Sequence, residues 1–142
     1  FKISNWIAII DQLATALATS KLNAIDLPMP EFIMLNHFMH RPLEGKTVSD
    51  VARQRQMPQP GVSKTIRKML NKGWLQAKES ETDGRSFTVF VTESGAATYH
   101  QALTLLFPTL EAAFCGMEPA VKRALFAALT DLKERFELTR KG

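Results

Sequence analysis

Two prolines, Pro58 and Pro60, stand directly before the stretch GVSKTIRKMLNKG, and no other feature constrains the chain as much. A proline biases the residue before it away from the α region, so Met57 and Gln59 are pushed toward extended backbone and any helix arriving from the N-terminal side must stop. Pro60 suits a first helical position, where its fixed φ is already helical and its missing amide costs nothing, which makes Gln59 the expected N-cap. Beyond it, Val62, Ile66, Met69 and Leu70 fall on one helical face, while Ser63, Lys64, Arg67, Lys68 and Asn71 fall on the other. Gly73 sits where a glycine ends a helix. The expectation is a short cationic helix entered at a fixed angle. Gln59 is a poorer cap than Ser, Thr, Asp or Asn, so the amides of Gly61 and Val62 are expected to be free for an anion such as phosphate.

Charge along the chain reinforces this. The formal net charge is +4. Residues 46–90 carry Lys46, Arg53, Arg55, Lys64, Arg67, Lys68, Lys72, Lys78 and Arg85 against Asp50, Glu79, Glu81 and Asp83, so the whole positive excess lies in the middle third. From Val51 to Lys78 there is no acid. One-sided clustering of this kind marks a polyanion-binding surface.

The flanks read mainly as helix. Ile3, Trp6, Ile7, Ile10, Leu13, Ala14 and Leu17 recur in steps of three and four, giving a first helix with one apolar stripe. Prolines 28 and 30 end it and open a second helix over about 30–40, with Phe32, Leu35, Phe38 and Met39 as core contacts. KTVSDVARQRQM is a short third helix: Thr47 is the N-cap, Asp50 completes a capping box, and Val48, Val51 and Ala52 face inward. After the cationic helix, a strand from Trp74 to Glu79, a turn at Thr82–Asp83–Gly84 and the alternating SFTVFVT make a hairpin with Arg85 at its tip. From Ser94 the pattern is helical again, with a kink or restart at Pro108, and Val121, Leu125, Ala128, Leu129, Leu132 and Phe136 form a second apolar stripe. The fold class is mainly α with a small β-hairpin wing.

Several functions are excluded or disfavoured. No apolar run approaches the roughly 20 residues that a membrane helix needs. Nothing near Phe1 resembles a signal peptide, although natural residues are expected before it. Cys115, the single cysteine, has no cation nearby to activate it and reads as an inert, partly buried thiol in a reducing compartment, so a cytoplasmic location is expected. His37 and His40 stand three apart on a helix, but no cysteine or carboxylate cluster accompanies them, so no metal and no cofactor are expected. No phosphate loop, nucleophile triad or paired carboxylates appear, and the chain is not expected to be an enzyme.

Support helix, sharp turn, cationic helix and basic-tipped hairpin follow the winged helix-turn-helix order, in which a helix enters the major groove of DNA and reads base edges from its exposed face. The run VARQRQMPQPGVSKTIRKMLNKGWLQAKESETDGRSFTVFVTESG resembles the signature segment of the MarR family of bacterial transcriptional regulators: Val62, Ser63, Lys64, Ile66, Met69 and Gly73, then Asp83 and Arg85, then Val91, Thr92 and Gly95, stand in register with that family's recognition helix, wing and following helix. Arg55 and Gln56 replace the family's apolar residue and glycine before the turn, Pro58 stands where a capping serine is common, and Leu70 stands in place of a glutamate. The resemblance implies one domain over 1–142, with a winged helix-turn-helix region at 28–95 and dimerisation helices at 1–27 and 96–142. It also implies a homodimer, as the two apolar stripes suggest independently. Such a dimer suits a palindromic operator, and the reading is a ligand-responsive repressor.

Within that frame Ser63, Lys64, Arg67 and Lys68 are the recognition set, with Gln59 and Thr65 as further base contacts. Arg85 is the wing-tip reader, held by Asp83. Lysine at 64 gives up the bidentate reading of guanine that arginine provides. Family members bind small aromatic acids between the winged region and the dimer helices, and Trp6, His37 and Arg41 are placed at such a crevice by analogy. The rival reading is a winged-helix adaptor whose basic face meets an acidic protein.

Overall fold

The computed structural model describes residues 1–79 and 86–141. The order is α1 (Lys2–Leu22), α2 (Met29–Met39), α3 (Val48–Arg55), α4 (Gln59–Asn71), β1 (Leu75–Glu79), β2 (Phe87–Val91), α5 (Glu93–Ala113) and α6 (Pro119–Lys141). A 3₁₀ turn at Asn23–Ile25 follows α1. The strands pair antiparallel, from Leu75 opposite Val91 to Glu79 opposite Phe87. The hairpin turn, including Asp83 and Arg85, lies outside the described residues. The chain divides into two compact units, Phe1–Phe107 and Pro108–Gly142.

The first unit holds the core. Leu22, Leu35, Phe38, Val51, Val62, Ile66, Met69, Leu75 and Val89 are essentially shielded from solvent. The inner faces of the second, third and fourth helices therefore meet as their periodicity predicts, with Met34 as an additional core residue on α2. Phe32 is only partly buried and instead stacks on Tyr99, ring centroids 6.0 Å apart. Burying each large aliphatic side chain contributes about 1.5–3 kcal/mol.

Local chemistry sets the element ends. The Asp50 amide donates to Thr47 Oγ1 (3.1 Å), and the Thr47 amide donates to Asp50 Oδ2 (3.4 Å), completing the capping box of α3. Gln56 takes the left-handed conformation with φ 56°. The turn before the prolines thus keeps a glycine-type geometry without glycine, at a cost of about 1–2 kcal/mol. Gly73 ends α4 with φ 76°. Gly95 lies against the Trp74 carbonyl, and a Cβ there would collide with that backbone.

Three expectations are corrected. Pro58 rather than Gln59 is the N-cap of α4, and Gln59 and Pro60 are its first two residues, because Pro58 is extended and its carbonyl accepts from the Val62 amide at 3.3 Å. Cys115 is exposed rather than partly buried, since it sits in the turn between α5 and α6. Of the kink or restart expected at Pro108, the restart is not seen: α5 runs through it to Ala113.

The apolar stripe of α1 is uncovered: Trp6, Ile10 and Leu13 are about 60% exposed, with Ile3 and Leu17 alongside. In the second unit, Val121, Phe126 and Phe136 are likewise exposed.

Candidate nucleic-acid interface

α4 presents its apolar side to the core, through Val62, Ile66 and Met69, and so turns its polar side outward. Lys64, Arg67 and Lys68 are exposed there, at spacings that bring them onto one face, with Ser63 half-buried at its margin and Gln59 exposed at its start. Thr65 is half-buried and spends its hydroxyl on the Gly61 carbonyl (3.2 Å). Among the described residues no acid pairs with Lys64, Arg67 or Lys68. Other cations of the block are engaged: Arg53 with Asp50 at 2.7 Å, Lys72 with Glu31 at 2.6 Å, and Lys78 over the Phe90 ring.

The start of α4 adds to this face. A helix begins with unsatisfied amides, but Pro58 and Pro60 have none and the Val62 amide is bonded to Pro58, so the free donors are Gln59 and Gly61 rather than Gly61 and Val62. No side chain caps them.

The C-terminal end of α4 and the wing hairpin are each tied down by a contact between residues far apart in the chain. Lys72, its C-cap residue, reaches the carboxylate of Glu31 in the first turn of α2 and lies 4.6 Å from the centre of the Trp74 ring. Glu31 is almost completely buried. On the wing side, Lys46 pairs through its backbone with Val89, amide to carbonyl in both directions at 2.8–2.9 Å, adding a short third strand segment at the hairpin's edge. Neither link is visible in the periodicity, because each joins residues far apart in the chain.

A cleft of about 660 Å³ is lined by the end of α2, residues 41–46, the last turn of α3 and Tyr99. His37 and Arg41 line it, but Trp6 is not among its lining residues. Arg41 is largely exposed and sits 3.5 Å from Glu44. His37 is held below its ordinary 6.5, first by burial and then by the positive charges of Lys46 and Arg55. Burial likewise pulls the Lys46 ammonium below its ordinary 10.5. Among the described residues no three metal-ligating side chains cluster, and no helix is long and apolar enough to cross a membrane.

Comparison with known proteins places this arrangement. The MarR family model matches residues 25–86. Among solved structures, MarR from Peptoclostridium difficile superposes with a TM-score of 0.84 at 15% identity, covering 98% of this chain and 90% of that one. Wild-type MarR from E. coli in its apo form gives 0.77 at 18% identity, with 91% and 95% covered. A mutant of E. coli MarR complexed with operator DNA gives 0.78 at 17% identity, with 93% and 94% covered. No curated relative matches the chain. Helix order and hairpin pairing agree with these structures, so the chain has their winged-helix fold, and its residues 25–86 are similar to the MarR family.

Proposed function

We propose that the chain is a sequence-specific DNA-binding transcriptional regulator that works as a homodimer on a palindromic operator, as a ligand-responsive repressor without catalytic activity. The observation that carries this reading is the outer face of α4, where Lys64, Arg67 and Lys68 stand exposed and, among the described residues, without acidic partners while neighbouring cations are tied to carboxylates. Such a face, opening at a helix start with two unmet amides, suits a phosphate backbone and an adjacent base edge. The complex of a similar fold with operator DNA supports the same partner. Ser63, Lys64, Arg67 and Lys68 are the base and phosphate contacts, Gln59 adds to them at the helix start, and Arg85 with Asp83 acts from the wing.

The dimer reading rests on the uncovered stripes of α1 and α6, whose large apolar side chains exceed what a soluble monomer ordinarily leaves in contact with water. Residues 1–27 and 96–142 are the proposed dimerisation segments. The effector reading is a small aromatic acid held near His37 and Arg41, with differential affinity for two spacings of the recognition helices.

Selection of bound sequences from random duplex DNA tests the proposal. The wild-type chain is expected to enrich an inverted repeat with half-sites about one helical turn apart, and Arg67→Ala and Arg85→Ala to weaken that enrichment. Weak, sequence-blind binding would refute it and favour an adaptor whose basic face meets an acidic protein.

A further inference from the structure

Lys46 is held at both ends. Its backbone pairs with Val89 of β2, amide to carbonyl in both directions, and Gly45 beside it lies so close to β2 that a Cβ there would collide with the side chains of Thr88 and Phe90. Its side chain reaches α2, where the ammonium donates to the His37 carbonyl at 3.3 Å and meets His37 Nε2 at 3.2 Å. An ammonium has donors only, so the ring nitrogen that faces it is an acceptor and the ring is neutral. Lys46 is only 8% exposed, and no carboxylate among the described residues lies within ion-pair distance of it.

The charges that act on the ring are all positive. Burial opposes its protonation first, then Lys46 from the segment before α3, Arg55 at the end of α3 and His40 on α2 itself; a hydrogen bond with Gln54 of α3 favours it. Arg41 and Glu44 stand in the same cleft but are turned to each other, and Tyr99 of α5 is the remaining titratable group that lines it. A proton on Nε2 would turn the acceptor into a donor and set two cations 3.2 Å apart where little water reaches them, a contact that cannot persist.

We infer that His37 is a proton-operated latch on the wing: neutral, it holds Lys46 and through it the edge of β2; protonated, it expels the ammonium and frees the pairing of Lys46 with Val89. The latch is closed at neutral pH and opens as pH falls below 6.5, the ordinary value from which the folded ring is lowered. It operates without any bound ligand, and only its consequence at DNA rests on the regulator reading. There the sign is diagnostic, since added positive charge alone would raise affinity for a polyanion, whereas a loosened wing lowers it.

The test follows nitrogen–proton correlation spectra of the labelled chain, without DNA, from pH 7.5 to 5.5 together with the His37 ring resonances. The Lys46 and Val89 amides should shift with the His37 midpoint, while those of Val62 and Ile66 in the core stay in place. His37→Gln, which offers Lys46 an amide oxygen that does not titrate, should abolish the transition, and His40→Gln should leave it. Wing amides that ignore the His37 midpoint, a transition that persists in His37→Gln, or core amides that move with the same midpoint would overturn the inference, the last because the whole fold is then opening. Should His37→Gln fail to fold, Lys46→Met decides: it should raise the His37 midpoint, and an unchanged midpoint overturns the inference. Affinity for the selected inverted repeat should fall about fivefold or more over the same pH range in wild type relative to His37→Gln. A latch that opens with DNA affinity unmoved would discard the consequence at DNA alone; a working latch without operator selection at any pH would discard the regulator reading.

Discussion

Removing Lys72 should destabilise the chain more than neutralising its partner Glu31, although the two form a single ion pair. Glu31 has a side chain only 4% exposed, whereas that of Lys72 is 39% exposed. Lys72→Met strands a carboxylate away from water. Breaking a buried pair in this way costs about 3–5 kcal/mol when both partners are buried. The partial exposure of Lys72 lets water approach, and the position of Glu31 in the first turn of α2 adds a favourable helix dipole, so we expect about 2–3 kcal/mol. Glu31→Gln keeps an acceptor for the 2.6 Å contact and leaves behind a cation that water already reaches and the Trp74 ring still attracts. Its cost should be about 1 kcal/mol. The double variant should cost less than the sum of the two, because the stranded carboxylate is gone. Urea unfolding at fixed protein concentration, which holds any association constant, measures all four corners of the cycle. Equal losses for the two single changes, or an additive cycle, would refute the argument that burial of Glu31 makes Lys72 the essential member.

Four further outcomes follow from local geometry. Gln56→Gly should stabilise the chain by about 0.5–1 kcal/mol in the same urea assay, since φ 56° suits glycine. Gly95→Ala should destabilise by about 2 kcal/mol or more, because its methyl meets the Trp74 backbone rather than a movable side chain. His37 carries a folded-state pKa below 6.5, so the unfolded chain binds the extra proton and stability should fall as pH drops from 6.5 through the folded value; comparing urea midpoints of wild type and His37→Gln at pH 7.5 and in that lower window should show the wild type losing more. The Asp50 carboxyl is held below its ordinary 3.8 mainly by the Thr47 hydroxyl, so the stability lost in Thr47→Ala, about 1 kcal/mol at neutral pH, should shrink as pH falls through the folded value and Asp50 protonates.

What was legible in the sequence was whatever is written in a local period. Val62, Ile66 and Met69 repeat at helical spacing and are buried, Thr47 and Asp50 stand three apart and cap α3, and the alternating strand after Ser86 pairs with the one ending at Glu79. The position of the α4 cap was misread by one residue because two prolines satisfy the same local rule and only the Pro58 carbonyl, bonded to Val62, separates them. Contacts between distant residues left no local trace: Lys72 looked like one more cation of the basic face, yet it is spent on Glu31, and Lys46 looked like a surface lysine, yet it is buried against His37. Both belonged to the same acid-poor charge block, so composition could not tell the cations aimed at a partner from those the fold consumes. Arg41 and His37 do line one cleft, but nothing in the spacing of α1 could place Trp6 with them.

The central claim is that the free cations of α4 read a particular DNA sequence. Its most direct test is the salt dependence of affinity for the selected inverted repeat and for a shuffled duplex of the same composition, measured by fluorescence anisotropy with wild type, Lys64→Ala, Arg67→Ala and Lys68→Ala. The account predicts roughly a thousandfold or greater preference for the selected sequence at physiological salt, a steep fall in affinity as salt rises, and a slope shallower by about one for each phosphate-contacting lysine lost. Equal affinity for the shuffled duplex, or slopes unmoved by all three substitutions, would contradict it.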